Sequence, residues 1–233
     1  MAKLNGIHHL AICTADIKAQ IEFFTDVLGM ELVALYWMHG VEGAWHGFLK
    51  LNDQCSIAFV QTPEVAAIPI QIGVTHAGNA GGPCAAGGLQ HIAFNVDTEE
   101  ELLAMRDRIR SRGVHVLGHI DHGFCKSIYF AGPETLTLEV STSEGRAIDP
   151  EAWIDPEVVA LAGISVEELA RFKSPAPYAR PAHAVAQPSL DSTRPRLAYP
   201  ASLYAAIMTL SDADTFARAS EPEPPVKVAV AAE

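Results

Sequence analysis

Three residues that lie far apart in the sequence are of the types that bind a divalent metal ion: His9, His91 and Glu139. Imidazole nitrogens and carboxylate oxygens are common protein ligands of such ions, and one cation can be shared by several of them. In a partly buried setting, either group costs free energy unless it is hydrogen-bonded or bound to a metal. Whether the three can cooperate depends on the elements that carry them.

Each of the three residues lies in a segment with the alternating pattern of a β-strand, in which successive side chains point to opposite faces. This alternation favours His9 over its neighbour His8 as a ligand, because His8 falls on the face of the large aliphatic residues. His91 and Glu139 likewise lie among small or polar neighbours on their strands. The pattern therefore predicts that all three point to a roomy, partly polar side of a sheet.

The strands belong to two copies of a βαβββ unit, which we place at residues 6–62 and 88–142. Each copy opens with the pattern apolar, polar, His, apolar, Ala, apolar, and continues through an Asp into a helical stretch and three strand-like runs. In the second copy, Thr98 and Glu101 predict a capping box at the start of the helix. The predicted later strands are 31–37, 44–51, 55–61, 114–120, 126–131 and 135–142.

The predicted fold is α+β, with paired βαβββ modules that form an incomplete barrel around a metal site. We divide the chain into a two-module domain, 1–143, and a C-terminal helical and Pro-rich extension, 144–233, whose end from residue 219 is expected to be disordered. The connector 63–87 is rich in Gly, Ala and Pro, which is typical of a flexible loop and fits a loop over a cavity. Within the extension, helices are predicted at 165–172 and 203–210.

Composition and charge exclude several partners. The chain has 49% hydrophobic and 19% charged residues, as expected of a globular protein, and its formal net charge is -12. This charge argues against nucleic acid, whose phosphates need clustered Lys and Arg. No apolar run approaches the ~20 residues of a membrane span. The four scattered cysteines indicate reduced thiols, and we expect a cytoplasmic protein.

The two βαβββ units, with a His opening each and a Glu in the last strand, resemble the vicinal oxygen chelate superfamily. This group includes glyoxalase I, fosfomycin and bleomycin resistance proteins and type I extradiol dioxygenases, and the likeness covers residues 6–142. It implies four positions that face a metal ion. Aligning residues 56–60 with 136–140 puts Phe59 in the fourth position, where it cannot act as a ligand. Two His and one carboxylate remain, a triad that suits Fe(II) with open coordination positions.

A second stretch, from His122 to Phe130, resembles the part of extradiol dioxygenases in which a His precedes a strand of Ser/Thr-Ile-Tyr-Phe type. The resemblance implies that His122 is an acid/base group and that Tyr129 hydrogen-bonds a substrate oxygen. The turn after this strand is expected to bring Tyr129 nearly opposite Glu139. Ring cleavage needs a base that takes a catechol proton and an acid that assists O–O cleavage, and imidazole suits both roles.

We therefore expect an Fe(II) extradiol ring-cleaving dioxygenase that acts on a catechol-like aromatic with O2. One alternative is a glyoxalase-like lyase or isomerase that uses Zn, Ni, Mn or Mg to polarise vicinal oxygens. Another is a non-catalytic small-molecule binding protein, because the fold alone does not decide the function. Whether the two modules pair within one chain or across a homo-oligomer stays open at this stage.

Overall fold

The computed structural model describes residues 3–227, which form two compact units. One unit spans 5–174 and contains the strands and the first five helices, and the other comprises 3–4 with 175–227. The domain boundary at residue 143 stays a prediction. Within the described residues, no helix has the length and apolar character needed to cross a membrane.

The first module is a four-stranded sheet with one helix. Its elements are β1 (His9–Cys13), α1 (Ile17–Asp26), β2 (Glu31–Trp37), β3 (Trp45–Asn52) and β4 (Cys55–Gln61). The strands lie in the order β1, β4, β3, β2. β1 runs parallel to β4, because α1 and two strands separate them in the sequence, whereas the β2–β3 and β3–β4 pairs are antiparallel hairpins.

The second module repeats this arrangement. Its elements are β5 (Ile92–Asn95), α2 (Glu99–Ser111), β6 (Leu117–Asp121), β7 (Lys126–Ala131) and β8 (Thr137–Thr142). The order is β5, β8, β7, β6, with β5 parallel to β8. The α+β fold of two βαβββ modules is therefore confirmed, and the sheets are not closed into one barrel. The predicted strands 31–37, 55–61 and 126–131 match in full, and the other three differ only at their ends.

Local sequence signals explain where the two module helices begin. Asp16 caps α1 by accepting a hydrogen bond from the backbone N–H of Ala19 at 3.0 Å. Thr98 caps α2, and the predicted capping box is complete, since the Glu101 side chain accepts from the Thr98 N–H at 3.1 Å. These bonds satisfy backbone donors that have no partner within the helix.

The core lies on one face of each sheet, beneath the helices. Phe24 of α1 contacts Phe59 of β4 with ring centroids 5.0 Å apart and Phe94 of β5 at 6.3 Å, so one core joins the two modules. The fully or nearly buried members of this core are Ile12, Ile17, Phe24, Val27, Leu49, Ile57, Phe59, Ile92, Leu102, Ile109, Ile128, Phe130, Leu136, Leu138 and Val140. The opposite face of β8 carries Glu139, as the alternation predicts.

A carboxylate in the second module also ties the modules together. Glu134, in the turn between β7 and β8, accepts hydrogen bonds from the Thr14 hydroxyl (2.6 Å), the Ala15 N–H (2.7 Å) and the Gln20 side-chain amide (2.8 Å). Gln20 is fully buried, and Glu134 adopts a positive φ of 53°. Three donors of the first module therefore depend on one side chain of the second, and a left-handed backbone conformation presents it to them.

The C-terminal part of the described chain is helical and irregular. Its helices are α3 (Pro150–Trp153), α4 (Pro156–Leu161), α5 (Val166–Lys173), α6 (Ala201–Met208) and α7 (Asp212–Ala219). The predicted helices at 165–172 and 203–210 correspond to α5 and α6, whereas α7 was not predicted. The expected disorder from residue 219 falls in part on 228–233, which lie outside the described residues.

We predict that Glu134→Ala lowers the free energy of unfolding by about 2 kcal/mol, because it leaves buried donors of the first module without an acceptor. Glu134→Gln keeps one acceptor oxygen and should cost less. Urea-induced unfolding measures both values. Wild-type stability in Glu134→Ala, or equal losses in the two variants, would contradict this role of the carboxylate.

Candidate metal and substrate site

His91 and Glu139 face each other on the side of the second sheet that the helices do not cover. His91 immediately precedes β5, and Glu139 lies in the middle of β8, where it pairs in register with Ala93. The His91 Nε2 atom is 2.9 Å from Glu139 Oε2. Glu139 is only 5% exposed, so its carboxylate needs a compensating partner at this position.

The other ring nitrogen of His91 is fixed by Gln90. The Gln90 side-chain amide donates to the carbonyl oxygens of Ala80 (2.8 Å), Gly82 (3.1 Å) and Asn79 (3.3 Å), which turns its Oε1 atom toward His91. That oxygen contacts His91 Nδ1 and can only accept, so the tautomer with its hydrogen on Nδ1 satisfies this contact. Two acceptors, the Nε2 lone pair and the Glu139 carboxylate, then face each other. A second proton on the imidazole, or a cation between the two atoms, would make the contact between His91 Nε2 and Glu139 Oε2 favourable.

The second oxygen of Glu139 is held by Ser141, which in turn contacts Ser127. The Ser141 hydroxyl donates to Glu139 Oε1, and the Ser127 and Ser141 Oγ atoms are 2.9 Å apart. Both serines share the face of Glu139 because β7 and β8 pair Ser127 with Ser141. Glu139 Oε2 is therefore the oxygen directed at His91. Gln90 and Ser141 were not among the predicted site residues, and only the alternation of Ser141 with Val140 indicates the orientation of the Ser141 side chain.

This pair fits a divalent cation. With metal–ligand distances of ~2.1 Å, two ligands at right angles lie about 3 Å apart, close to the observed separation of His91 Nε2 and Glu139 Oε2. One imidazole and one carboxylate are two of the three protein ligands expected. Among residues 3–227, however, no three His, Cys, Asp or Glu side chains form a group that could hold a metal ion. His9 therefore does not join His91 and Glu139 in one such group within the part of the chain that the structure describes.

The missing residue, His9, lies at the start of β1 on the first sheet. It is exposed, and its ring packs edge-on to Phe48 with centroids 5.5 Å apart. Its Nδ1 atom is 2.9 Å from Nδ1 of His8. The alternation of side-chain faces does not distinguish His9 from His8, because β1 begins at His9 and His8 lies before the strand. A hydrogen bond at Nδ1 leaves Nε2 of His9 as the nitrogen open to a ligand.

Phe59 does not occupy the position equivalent to Glu139, contrary to the sequence alignment. β4 pairs Ala58 with Ala11, just as β8 pairs Glu139 with Ala93, so Ala58 is the equivalent residue. Phe59 is fully buried in the core, on the opposite strand face. The alignment was wrong by one residue, because it lacked the register of the parallel strand pair. Alanine has no ligand atom either, so β4 still supplies no fourth ligand.

Tyr129 and His122 lie beside the His91–Glu139 pair. Tyr129 of β7 is in register with Glu139, as expected from the turn, and its ring centroid is 6.5 Å from that of His91. The Tyr129 hydroxyl is 2.9 Å from Nε2 of His122, in the loop between β6 and β7. The structure thus brings the two predicted catalytic residues into hydrogen-bond contact at the edge of the candidate metal site.

The loop that carries His122 is held by an ion pair. Arg146 donates to both carboxylate oxygens of Asp121, at 2.6 and 3.1 Å, and to the carbonyl oxygen of Gly123 at 3.0 Å. The backbone N–H of His122 donates to the Cys125 carbonyl at 2.8 Å. The hydrogen bond from Arg146 and another from the Gly123 N–H lower the pKa of the Asp121 carboxyl. These hydrogen bonds therefore fix the loop that carries His122.

Burial raises the pKa of the Tyr129 phenol, and the negative charge of Glu139 raises it further, while a hydrogen bond with Ser127 opposes the shift. The phenol consequently stays protonated at neutral pH. It can donate a hydrogen bond to a ligand oxygen, but it cannot act as the base.

Two cavities adjoin these residues. The larger, of about 610 Å³, lies beside His91, and the smaller, of about 470 Å³, is lined by His122 and Tyr129. Leu136 and Thr137 line both. Parts of the connector, residues 65–77 and 78–81, form walls of the larger and the smaller cavity, so the connector passes over the site.

Comparisons with known proteins place the chain in a family. Solved structures with a similar fold include a glyoxylase/bleomycin resistance protein/dioxygenase domain from Frankia sp. EAN1pec, with 15% identity over 61% of this chain and 100% of that chain and a TM-score of 0.47. TnmS3, an antibiotic binding protein from Streptomyces sp. CB03234, has 14% identity over 62% and 100% with a TM-score of 0.44. A mutant of the fosfomycin resistance protein FosX from Listeria monocytogenes, complexed with Mn(II), has 17% identity over 66% and 100% with a TM-score of 0.42.

A search of curated proteins found no match to the chain. The sequence model of the Glyoxalase/Bleomycin resistance protein/Dioxygenase superfamily matches residues 6–140, more than half of the 233 residues and nearly all of both modules. Divalent-metal dependence is common in this superfamily, which contains many enzymes. The chain belongs to the Glyoxalase/Bleomycin resistance protein/Dioxygenase superfamily.

Proposed function

We propose that the protein is a divalent-metal-dependent enzyme, and specifically an Fe(II) extradiol dioxygenase that cleaves a catechol-like aromatic with O2. The proposal rests on one observation. His91 Nε2 and Glu139 Oε2 lie 2.9 Å apart, next to the hydrogen-bonded side chains of His122 and Tyr129. A cation between His91 Nε2 and Glu139 Oε2 would bind both of these acceptors. His122 and Tyr129 lie beside that position, where a metal-bound catechol would contact them.

His91 and Glu139 would hold the metal from one chain, and we propose that His9 completes the triad from a second copy. His9 and His91 open equivalent strands of the two modules, yet one chain does not bring them to one group with Glu139. A symmetric dimer can supply the same residue twice, once to each site. Two histidines and a carboxylate favour Fe(II). When bound, Fe(II) supplies the Lewis acidity and one-electron chemistry that ring cleavage by O2 requires.

The chain's own residues supply the proton handling. Tyr129, kept protonated by its raised pKa, donates a hydrogen bond to a substrate oxygen and orients the ring. When the Tyr129 hydroxyl donates to the substrate instead of to His122, Nε2 of His122, 2.9 Å from that hydroxyl, is free to accept a catechol proton. Glu139 keeps its charge directed at the metal position because Ser141 occupies its other oxygen.

A second candidate in the same fold is a lyase or isomerase that uses Mn, Zn, Ni or Mg. The His122–Tyr129 couple favours it as well, because moving a proton beside a polarised oxygen is the central step of such reactions. A third candidate, a binding protein without catalysis, would use the two cavities alone. We place the protein in the cytoplasm in each case, a proposal supported by the four free cysteines.

Metal identity and oxygen uptake separate the three candidates. We predict that anaerobically purified protein holds about one Fe(II) per chain and that aerated catechol gives oxygen uptake with a yellow ring-fission product. His122→Ala should lower kcat about a hundredfold or more while the iron content stays the same. Bound Zn, Ni, Mn or Mg with proton-transfer activity and no oxygen uptake would favour the second candidate. No metal after reconstitution would contradict both enzymes.

The shared site can be tested by mixing two variants. We predict that His9→Ala and Glu139→Ala each lose tight metal binding, whereas the co-refolded mixture regains roughly a quarter of the wild-type metal, since half of its dimers are mixed and each has one intact site of two. His115→Ala, which removes an exposed histidine of the same unit, is the control and should bind metal normally. A mixture no better than its components would place the ligands in one chain. Full binding by His9→Ala would remove His9 from the site.

The protonation state of Tyr129 can be followed directly. We predict that, in the metal-free protein, the tyrosinate absorbance lost in Tyr129→Phe, relative to the wild type, titrates above the ordinary tyrosine pKa of 10.0, because burial and the unneutralised charge of Glu139 disfavour the phenolate. Circular dichroism across the same pH range checks that the fold persists. A difference titration centred at or below 10.0 would show that Tyr129 is not held protonated by its surroundings.

A further inference from the structure

We propose that the two cavities together form a binding site for a neutral catechol with a bulky apolar substituent, and that the site discriminates against anionic catechols. This inference rests on the proposed function only in placing the reacting oxygens near His91 and Tyr129. The substrate class itself follows from the walls of the cavities and from their charges.

The two cavities lie side by side, because two residues line both of them. Leu136 and Thr137 line each of them, and Thr137 precedes Glu139 by two positions on the same face of β8. The smaller cavity has the groups that recognise hydroxyls, His122 and Tyr129. A ring whose oxygens face His122 and Tyr129 would direct a substituent past Thr137 toward the larger cavity, which His91 lines.

The larger cavity has an apolar wall supplied by the connector. Val65, Ala66, Ile68, Pro69 and Ile70 line it. Ile68 is 61% exposed and Ile70 46%, so these side chains leave apolar surface in water that a ligand would cover. A volume of about 610 Å³ falls in the range of ligand sites, and burying an apolar substituent against this wall is favourable.

The residues that line the two cavities disfavour an anionic ligand. No Lys or Arg of the described chain lines either cavity, and the one carboxylate at their walls is Glu134. The Glu134 carboxylate is already engaged by Thr14, Ala15 and Gln20, so it offers a ligand negative potential and no donor. The net charge of -12 adds to this repulsion at low ionic strength. The larger cavity offers a ligand carboxylate or phosphonate hydroxyl and imidazole groups, such as those of Thr75, His76 and Thr135, but no Lys or Arg to neutralise its charge.

Binding measured under argon separates this inference from catalysis. We expect the iron-loaded wild type to bind tert-butylcatechol at least about tenfold more tightly than protocatechuate, a catechol with a carboxylate, in isothermal titration calorimetry. Ile68→Arg adds a cation to the apolar wall and should bring the two dissociation constants within about threefold. Ile148→Arg is the matched control, because Ile148 is equally exposed (61%) but lines neither cavity, and it should keep the wild-type preference.

The two proposals fail in different ways. Equal or tighter binding of protocatechuate by the wild type, or no binding of either catechol, would overturn the inference about substrate class, even if protocatechuate were cleaved. A preference that persists in Ile68→Arg, or one that Ile148→Arg also loses, would overturn the role of the connector wall. A tenfold preference for tert-butylcatechol without oxygen uptake would support this inference and contradict the dioxygenase.

Discussion

The opposition of two hydrogen-bond acceptors, His91 Nε2 and Glu139 Oε2, is the constraint on which the account of this site depends. It arises because the other atoms of both groups are already committed. Three backbone carbonyls orient Gln90, Gln90 fixes the tautomer of His91, and Ser141 occupies the second oxygen of Glu139. A proton or a cation can lie between the two groups, and divalent-metal dependence is common in the superfamily to which the chain belongs.

Much of this arrangement could be predicted from the sequence. The alternation of apolar and polar residues gave the strand faces, so Glu139 could be assigned to the uncovered face and Val140 to the core. The repeat of the His-containing strand located His91, and the turn after β7 brought Tyr129 opposite Glu139. Such signals are local or nearly so, because the period of a strand and the residues of a cap or turn follow from short-range sterics and hydrogen bonding.

What could not be predicted depends on contacts between distant segments. The register of the parallel pair β1–β4 is set by packing across some fifty residues, and an alignment by pattern alone placed Phe59 where Ala58 lies. The position of Gln90 depends on a connector with no regular pattern. The separation of His9 from His91 and Glu139 depends on how the two modules pair, which each module's own sequence pattern leaves undetermined.

The same constraint suggests the most direct test of the metal site. A crystal of the anaerobically iron-loaded protein, measured on both sides of the iron absorption edge, locates iron by its anomalous scattering independently of any activity. The account predicts one peak within about 2.3 Å of both His91 Nε2 and Glu139 Oε2. Iron that is absent or bound elsewhere, with His91 Nε2 and Glu139 Oε2 still hydrogen-bonded to each other, would contradict this prediction. The two residues would then form an ordinary buried imidazolium–carboxylate contact.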